Sequence, residues 1–420
     1  MKTPSTILCT VLAGISLLAS CTSGSVELRS NTPICEYLYG VEYDDYDFEA
    51  GMQVTSELYM PQAACSEVRK GNFVGRNFDW YINSDASFVI KVNRGDARYA
   101  SIGMGGCMPP FTDSLASSGC WSPVYDLLPL MTMDGINEKG LYVGINVMPT
   151  GETSSDPDRW APGQWGLGAA FTNPDAARTY GVSALVRFVL DNAASLAEAR
   201  DLVESVNWYE PVDFPNPGES QAFHWLIADS VSNAVLEFID NKPCFIQTDA
   251  VREPSYATIM TNFTNKLMAD GQIVQPSGCG YERWEILRDN YAATDESADG
   301  MKQLMQKVWY TRTYTDSLDE HFMFTEFAGR DFPATEMYHN PDYKDNAAYA
   351  AFIKEQRALF ADKAFWHVED SPLWFTTHSV VYDLKRRSLT VMTHEGLDGQ
   401  KEYYSASLSE SNYAKPQEAE

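Results

Sequence analysis

Two spacings of apolar residues recur along the chain: some short runs alternate apolar with polar, and others repeat apolar positions every three or four residues. Alternation puts successive side chains on opposite faces of a strand, and β-patterned runs cover Phe88 to Val92, Gly140 to Val147, Phe223 to Ala228, Ala234 to Ile239 and Thr258 to Asn262. The three-four repeat predicts helices over Val182 to Asn192 and Leu196 to Val206, with further candidates at Tyr281 to Tyr291 and Met301 to Val308. Ser195 stands where an N-cap belongs, and Glu198 follows three residues on, a pairing that satisfies two otherwise orphaned backbone N–H groups. Leu373 to Asp383 and Ser388 to His394 flank a charged LKRR turn and read as a hairpin. Strands, then helices, then strands predict an α+β layered domain.

Other segments have no clear period. Residues 22–64 are polar, then acidic and tyrosine-rich (EYLYGVEYDDYDFEAG), and read as a tether followed by a pro-segment. Thr150 to Gly168 and Phe322 to Asp362 carry loop chemistry and read as insertions of the kind that form lids or binding loops. The stretch after Gly396, residues 396–420, reads as a loose polar tail.

One hairpin carries candidate chemistry: AACSEVRKGNFVGRNFDW, from Ala63 to Trp80. Cys65 to Arg69 forms one strand, Lys70-Gly71 the two-residue turn and Asn72 to Trp80 the return. That register sets Cys65 opposite Arg76, and paired residues share a face of the sheet. A guanidinium beside a thiol favours the thiolate and lowers a cysteine pKa from about 8.5. Asp79 has the opposite parity, so a bulge or bend is needed for it to meet Cys65 as well.

With 420 residues and 44% hydrophobic content the chain can bury a large core, and its net charge of −27 argues against a nucleic-acid or other polyanionic partner. The opening MKTPSTILCTVLAGISLLASC has an early lysine and a short apolar run, which reads as a secretory signal over residues 1–20. Leu17 to Cys21 resembles the lipobox of bacterial lipoproteins. That resemblance implies cleavage before Cys21, a lipid on its thiol, and anchoring in the bacterial envelope on a periplasmic or cell-surface face; an ordinary signal peptide is the alternative. Of the eight cysteines, setting aside Cys9, Cys21 and Cys65 leaves Cys35, Cys107, Cys120, Cys244 and Cys279, an odd number, so at least one stays free or pairs outside the set. The six histidines are isolated and no Cys-x-x-Cys occurs, so neither metal nor cofactor is expected. A homo-oligomer is compatible with the sequence.

Cys65 with GRNFDW (Gly75 to Trp80), DGINEKGLYVGIN (Asp134 to Asn146), MTNF (Met260 to Phe263), GYERWEILRD (Gly280 to Asp289) and HSVVYD (His378 to Asp383) occur in an order that resembles the choloylglycine hydrolase family. This is the N-terminal-nucleophile group of bile salt hydrolases and penicillin V acylases, more distantly related to acid ceramidase and N-acylethanolamine acid amidase. The resemblance runs from Cys65 to about residue 395 and implies a four-layer αββα sandwich acting on linear amide C–N bonds. It places the nucleophile at Cys65, an arginine and an aspartate at Arg76 and Asp79, oxyanion-hole asparagines at Asn146 and Asn262, and a second arginine at Arg283. The first hairpin is shorter than the family's, and the segment ahead of the nucleophile is longer than in most bile salt hydrolases.

An N-terminal cysteine supplies its own base, an α-amino group with a pKa of about 7.7–8.0. That amine does not exist while Ala64 and Cys65 are joined, and cleavage before Cys21 would still leave residues 21–64 in front. The resemblance therefore implies a self-cut between Ala64 and Cys65, which the small Ala63 and Ala64 leave unobstructed. The implied substrate is a small N-acyl amide of bile salt, N-acyl amide or penicillin V type, with the membrane touched only through the lipid. Met104 to Met133, aromatic and rich in methionine, reads either as an acyl-pocket wall or as ordinary core. A non-catalytic ligand-binding lipoprotein with the same fold is the competing reading.

Overall fold

The computed structural model describes residues 27–35, 38–46, 48, 64–81, 87–93, 99–106, 128–148, 173, 175–209, 222–239, 242–271, 279–309, 324–327, 330–333, 374–395 and 400–409. The expected signal peptide, Cys21, the 150–168 insertion and most of 322–362 lie outside these residues.

Strands are numbered in chain order. From edge to edge the larger sheet holds β1 (Glu27–Cys35), β2 (Leu38–Asp45), β5 (Ser87–Val92), β6 (Ser101–Gly106), β7 (Thr132–Asn137), β8 (Tyr142–Met148), β11 (Ala222–Ala228), β12 (Asn233–Ile239) and β13 (Lys242–Thr248). Its pairs are antiparallel except β2 with β5. The smaller sheet runs β14 (Ile259–Met260), β3 (Ala64–Lys70), β4 (Phe73–Tyr81), β17 (Trp374–Asp383), β18 (Ser388–Glu395) and β19 (Gln400–Ser407). β9 (Thr179–Gly181) pairs with β10 (Asn207–Tyr209), and β15 (Phe324–Phe327) with β16 (Arg330–Pro333). The helices are α1 (Leu185–Asn192), α2 (Leu196–Glu204), α3 (Asn265–Ala269), α4 (Cys279–Tyr291) and α5 (Ala298–Gln306).

Burial follows the periods in the sequence. One apolar cluster joins the larger sheet to α1 and α2, through Val143 and Ile145 against Leu185, Val189 and Val203. A second is shared by the two sheets, with Val89, Tyr142 and Leu226 of one against Val74, Val380 and Tyr382 of the other. In a third, α4 and α5 cover the smaller sheet, where Val68 and Val381 meet Leu287, Met301 and Met305. The result is a mixed α/β architecture of large sheets and few helices. The capping prediction holds at α2, where Ser195 Oγ accepts from Glu198 N–H at 3.3 Å; the glutamate reaches back one residue further than expected, accepting from Ala194 N–H at 2.8 Å.

Three readings are corrected. The first hairpin turns at Gly71 and Asn72, not at Lys70 and Gly71, so Cys65 pairs with Phe78, Glu67 with Arg76, and Ala64 with Asp79. Lys70 stays in the strand because its ammonium donates to the carbonyls of Tyr291, which ends α4, and of Thr294 just beyond it. Part of the segment expected as a loose tail is β19, whose Tyr404 and Ala406 point inward at period two. The aperiodic stretch 22–64 contains β1 and β2; Val41 and Tyr43 of β2 are fully buried in the first cluster, and Tyr46 just after it donates to Asp191. No helix among the described residues is long and apolar enough to cross a membrane.

Candidate active site

Cys65 lies near the start of β3, between β14 and β4, with its side chain turned toward the larger sheet and fully buried. Alternation along β3 sends Glu67 the same way, and register brings Arg76 and Phe78 of β4 onto that face. Arg76 is fixed from several sides. Its Nη1 donates to Met133 O at 2.8 Å and lies 2.7 Å from Asp134 Oδ2 and 3.7 Å from Glu67 Oε1; its Nη2 donates to Ile145 O at 2.9 Å and faces Cys65 Sγ at 3.9 Å. The Asp134 contact is an ion pair whose N–H is not aimed along a hydrogen bond.

The sequence predicts a lowered thiol pKa, and the buried thiol is instead pushed up to about 11. Burial is the largest cause; Arg76 pulls the other way, the Asp79 carboxylate adds to the rise, and a backbone hydrogen bond at Asp79 opposes it. Arg76 prevails less than expected because burial outweighs it, and its charge also faces the Asp134 carboxylate at 2.7 Å.

The backbone nitrogen of Cys65 has partners of its own. It donates to Asn262 Oδ1 at 2.9 Å, and Arg283 Nη2 donates to the same oxygen. Arg283 Nη1 in turn pairs with Asp79 Oδ2 at 2.7 Å, and Thr376 Oγ1 donates to Asp79 Oδ1 at 2.6 Å. Asp79 keeps the parity read from sequence, facing the helices, and β4 needs no bulge to serve Cys65. The register shift falls on β17, between Thr376 and His378. Burial raises Asp79 to about 7 against the pull of Arg283. Gly280 lets α4 approach closely, since a Cβ there would lie 2.6 Å from Asn262 O, and Thr261 Oγ1 donates to Gly280 O at 2.6 Å.

Asn262 also donates from Nδ2 to Val147 O at 2.6 Å, so it touches both sheets. Asn146 turns its amide nitrogen to Glu67 Oε1 and Ile145 O, both at 2.9 Å, the orientation that satisfies both ends of the amide. Both its N–H groups are then committed within the protein. Tyr142 donates to Glu67 Oε2 at 3.0 Å and Tyr382 to Asp134 Oδ1. Burial raises Glu67 to about 8, and raises Asp134 too, against Arg76. With its ordinary value near 4.5 exceeded so far, Glu67 carries its proton at neutral pH, and the nearer Asp134 balances Arg76 first.

Sequence reasoning did not single out Glu67, Asp134, Tyr142, Thr376 or Tyr382. A signal existed for one of them: a glutamate two residues from the nucleophile shares its face of the strand. The histidines are less isolated than expected. His224 Nδ1 lies 3.3 Å from Glu237 Oε1, and Glu237 accepts from the backbone N–H of Asn265 and Lys266 at 2.7 and 3.0 Å, capping α3 just after Asn262. His378 stacks on Phe78 at 5.0 Å, and burial, then Arg76, push it down to about 3, so it stays neutral. Among the described residues no group of three His, Cys, Asp or Glu side chains gathers to hold a metal.

No family model matches the chain, and no curated protein matches it. Among solved structures, penicillin V acylase from Agrobacterium tumefaciens is similar over 82% of this chain and 86% of its own, at 13% identity and a TM-score of 0.40. Two variants of conjugated bile acid hydrolase from Clostridium perfringens are similar over 85% of this chain and 97% of theirs, at 14% and 12% identity and TM-scores of 0.38 and 0.36. Likenesses this remote say nothing of activity.

Proposed function

We propose that the chain is a cysteine N-terminal-nucleophile amidase of four-layer αββα build, activated by a cut before Cys65 and hydrolysing linear amide C–N bonds of small N-acyl conjugates. One observation carries the reading. The residues that the family motifs nominate meet at the two atoms such chemistry needs: Arg76 at the Cys65 sulfur, and Asn262, with Arg283 and Asp79 behind it, at the Cys65 backbone nitrogen. That nitrogen is the atom the cut would turn into the catalytic amine.

In the self-cut, Cys65 Sγ bonds to the Ala64 carbonyl carbon, the C–N bond breaks, and the thiol proton ends on the nitrogen. Water then hydrolyses the thioester, leaving the Ala64 carboxylate and restoring the thiol. The new amine titrates near neutrality and lies beside a thiol that burial chiefly holds protonated, and it takes the thiol proton as the sulfur bonds to the substrate carbonyl. The thiolate adds to the substrate carbonyl, Asn262 donates to the developing oxyanion, and the leaving amine receives the proton. Water completes the cycle through the thioester. Asp79 and Arg283 hold Asn262 and the amine in register, while Arg76 stabilises the thiolate. Export and a lipid anchor at Cys21 belong to the same proposal.

N-terminal sequencing and intact mass on purified protein, with an amine-release screen over N-acyl amino acids, N-acylethanolamines, bile acid conjugates and phenoxyacyl penicillins, test it together. The expected result is a new terminus at Cys65, hydrolysis of at least one class, and a Cys65→Ala chain that stays uncut and inactive. Full activity with the Ala64–Cys65 bond intact would sink the mechanism.

A further inference from the structure

We propose that Glu67 is a positioning residue of the Cys65 site, a buried carboxyl that holds the Asn146 amide in place and fills the space beside Arg76 on the thiol's face of the strand. The inference rests on the amidase reading and adds to it a residue outside the motifs that carry that reading.

Both carboxyl oxygens are engaged. Oε1 faces Arg76 Nη1 at 3.7 Å and accepts from Asn146 at 2.9 Å, while Oε2 takes the Tyr142 hydroxyl at 3.0 Å. The space for it is built into β8: a Cβ at Gly144 would lie 2.4 Å from Glu67 Oε2, 2.7 Å from Oε1 and 2.4 Å from the Tyr142 hydroxyl, so any larger residue would occupy the carboxyl's place. Glu67 is fully buried between the sheets, two residues from the nucleophile on the same face. The titratable and charged groups facing it are Arg76 from β4, Asp134 from β7, Tyr142 from β8 and Tyr382 from β17, with Cys65 on its own strand. An ionised Glu67 would accept from Tyr142 and draw on the guanidinium that otherwise favours the thiolate, whereas a protonated one keeps Oε1 as an acceptor for Asn146 and donates from Oε2 to the Tyr142 oxygen.

Thiolate absorbance against pH, taken as the difference from Cys65→Ser, is measured in the full chain and in Glu67→Gln and Glu67→Ala, with kcat, KM and melting temperature on the same preparations. Above its own midpoint Glu67 opposes the thiolate, so Glu67→Gln lowers the thiol midpoint by about one pH unit. Gln keeps an acceptor for Asn146 and holds kcat within about threefold, whereas Glu67→Ala lowers kcat about tenfold with KM within about twofold, because the Asn146 acceptor is gone. An unmoved thiol midpoint in Glu67→Gln, or wild-type kcat in Glu67→Ala, overturns the proposal. Should Glu67→Ala not fold, the midpoint in Glu67→Gln decides alone. A wild-type chain that releases no amine from any substrate class sinks the amidase reading separately, since the thiol titration needs no substrate.

Discussion

Replacing Glu67 by glutamine tests the buried cluster through stability as well as chemistry. Folding raises this carboxyl from an ordinary 4.5 to about 8, chiefly by burial. A raised carboxyl means that the folded state binds the proton more tightly than the unfolded chain, so its favourable share is fully present below the unfolded midpoint and is lost as pH rises through the folded one. Between those midpoints the wild-type chain loses about 1.4 kcal/mol per pH unit relative to Glu67→Gln, an upper value of about 5 kcal/mol across the window. Glutamine is close in shape to the protonated acid and leaves Arg76 its pairing with Asp134 at 2.7 Å, so the two proteins differ mainly in that one ionisation. Urea unfolding of both proteins at a series of pH values from acid to mildly alkaline gives the difference directly. The difference curve should fall steadily and level off near pH 8. A flat difference would mean that Glu67 titrates as an ordinary surface carboxyl, and the buried Arg76–Glu67–Asp134 arrangement would be refuted.

Asn262→Ala should lower kcat by about 10²–10³ while changing KM little, the signature of an oxyanion donor. Losing its bonds to Cys65 N and Val147 O should also cost about 1–2 kcal/mol in thermal unfolding on the same sample. Asp79→Asn retains the size of the side chain but not its ion pair with Arg283, so circular dichroism should stay native-like while amine release falls by about 10². Gly144→Ala should destabilise by about 1–3 kcal/mol in denaturant titration, because its Cβ needs the space of the Glu67 carboxyl, and should shift the thiol midpoint as Glu67 substitutions do.

Regular elements were legible where apolar runs keep a strand or helix spacing, even though β5, β8 and β12 turn out to be buried on both faces. β5, β8, β11 and β12, with helices α1, α2 and α4, fall where the periods put them. Thr258 to Asn262 shrinks to the two-residue β14, and on its near side the Thr258 N–H is taken by Ser255 O at 3.1 Å in a turn. The hairpin parity was legible but its register was not, because Lys70 looks like a turn residue until α4 supplies carbonyls for its ammonium. Of the residues nominated around Cys65, Arg76 faces its sulfur and Asn262, Arg283 and Asp79 gather at its backbone nitrogen, whereas Asn146 turns its amide to Glu67 and Ile145 O. The thiol's electrostatics could not be read from Arg76 alone. Burial, and the Met133 and Ile145 carbonyls that hold Arg76 in place, depend on strands more than fifty residues away in sequence.

Asn262 grips Cys65 on the smaller sheet through its oxygen and Val147 on the larger sheet through its nitrogen. Such a residue works as a gauge of how the sheets sit on each other: a slip of one sheet by even a fraction of an ångström lengthens one grip or the other. Core residues far from the sulfur, such as Leu226 and Val391 in the layer the sheets share, thereby gain a lever on catalysis without touching it. Trimming them would loosen the gauge, spreading the positions of Asn262 over many small misalignments and lowering turnover before any loss of fold could be seen.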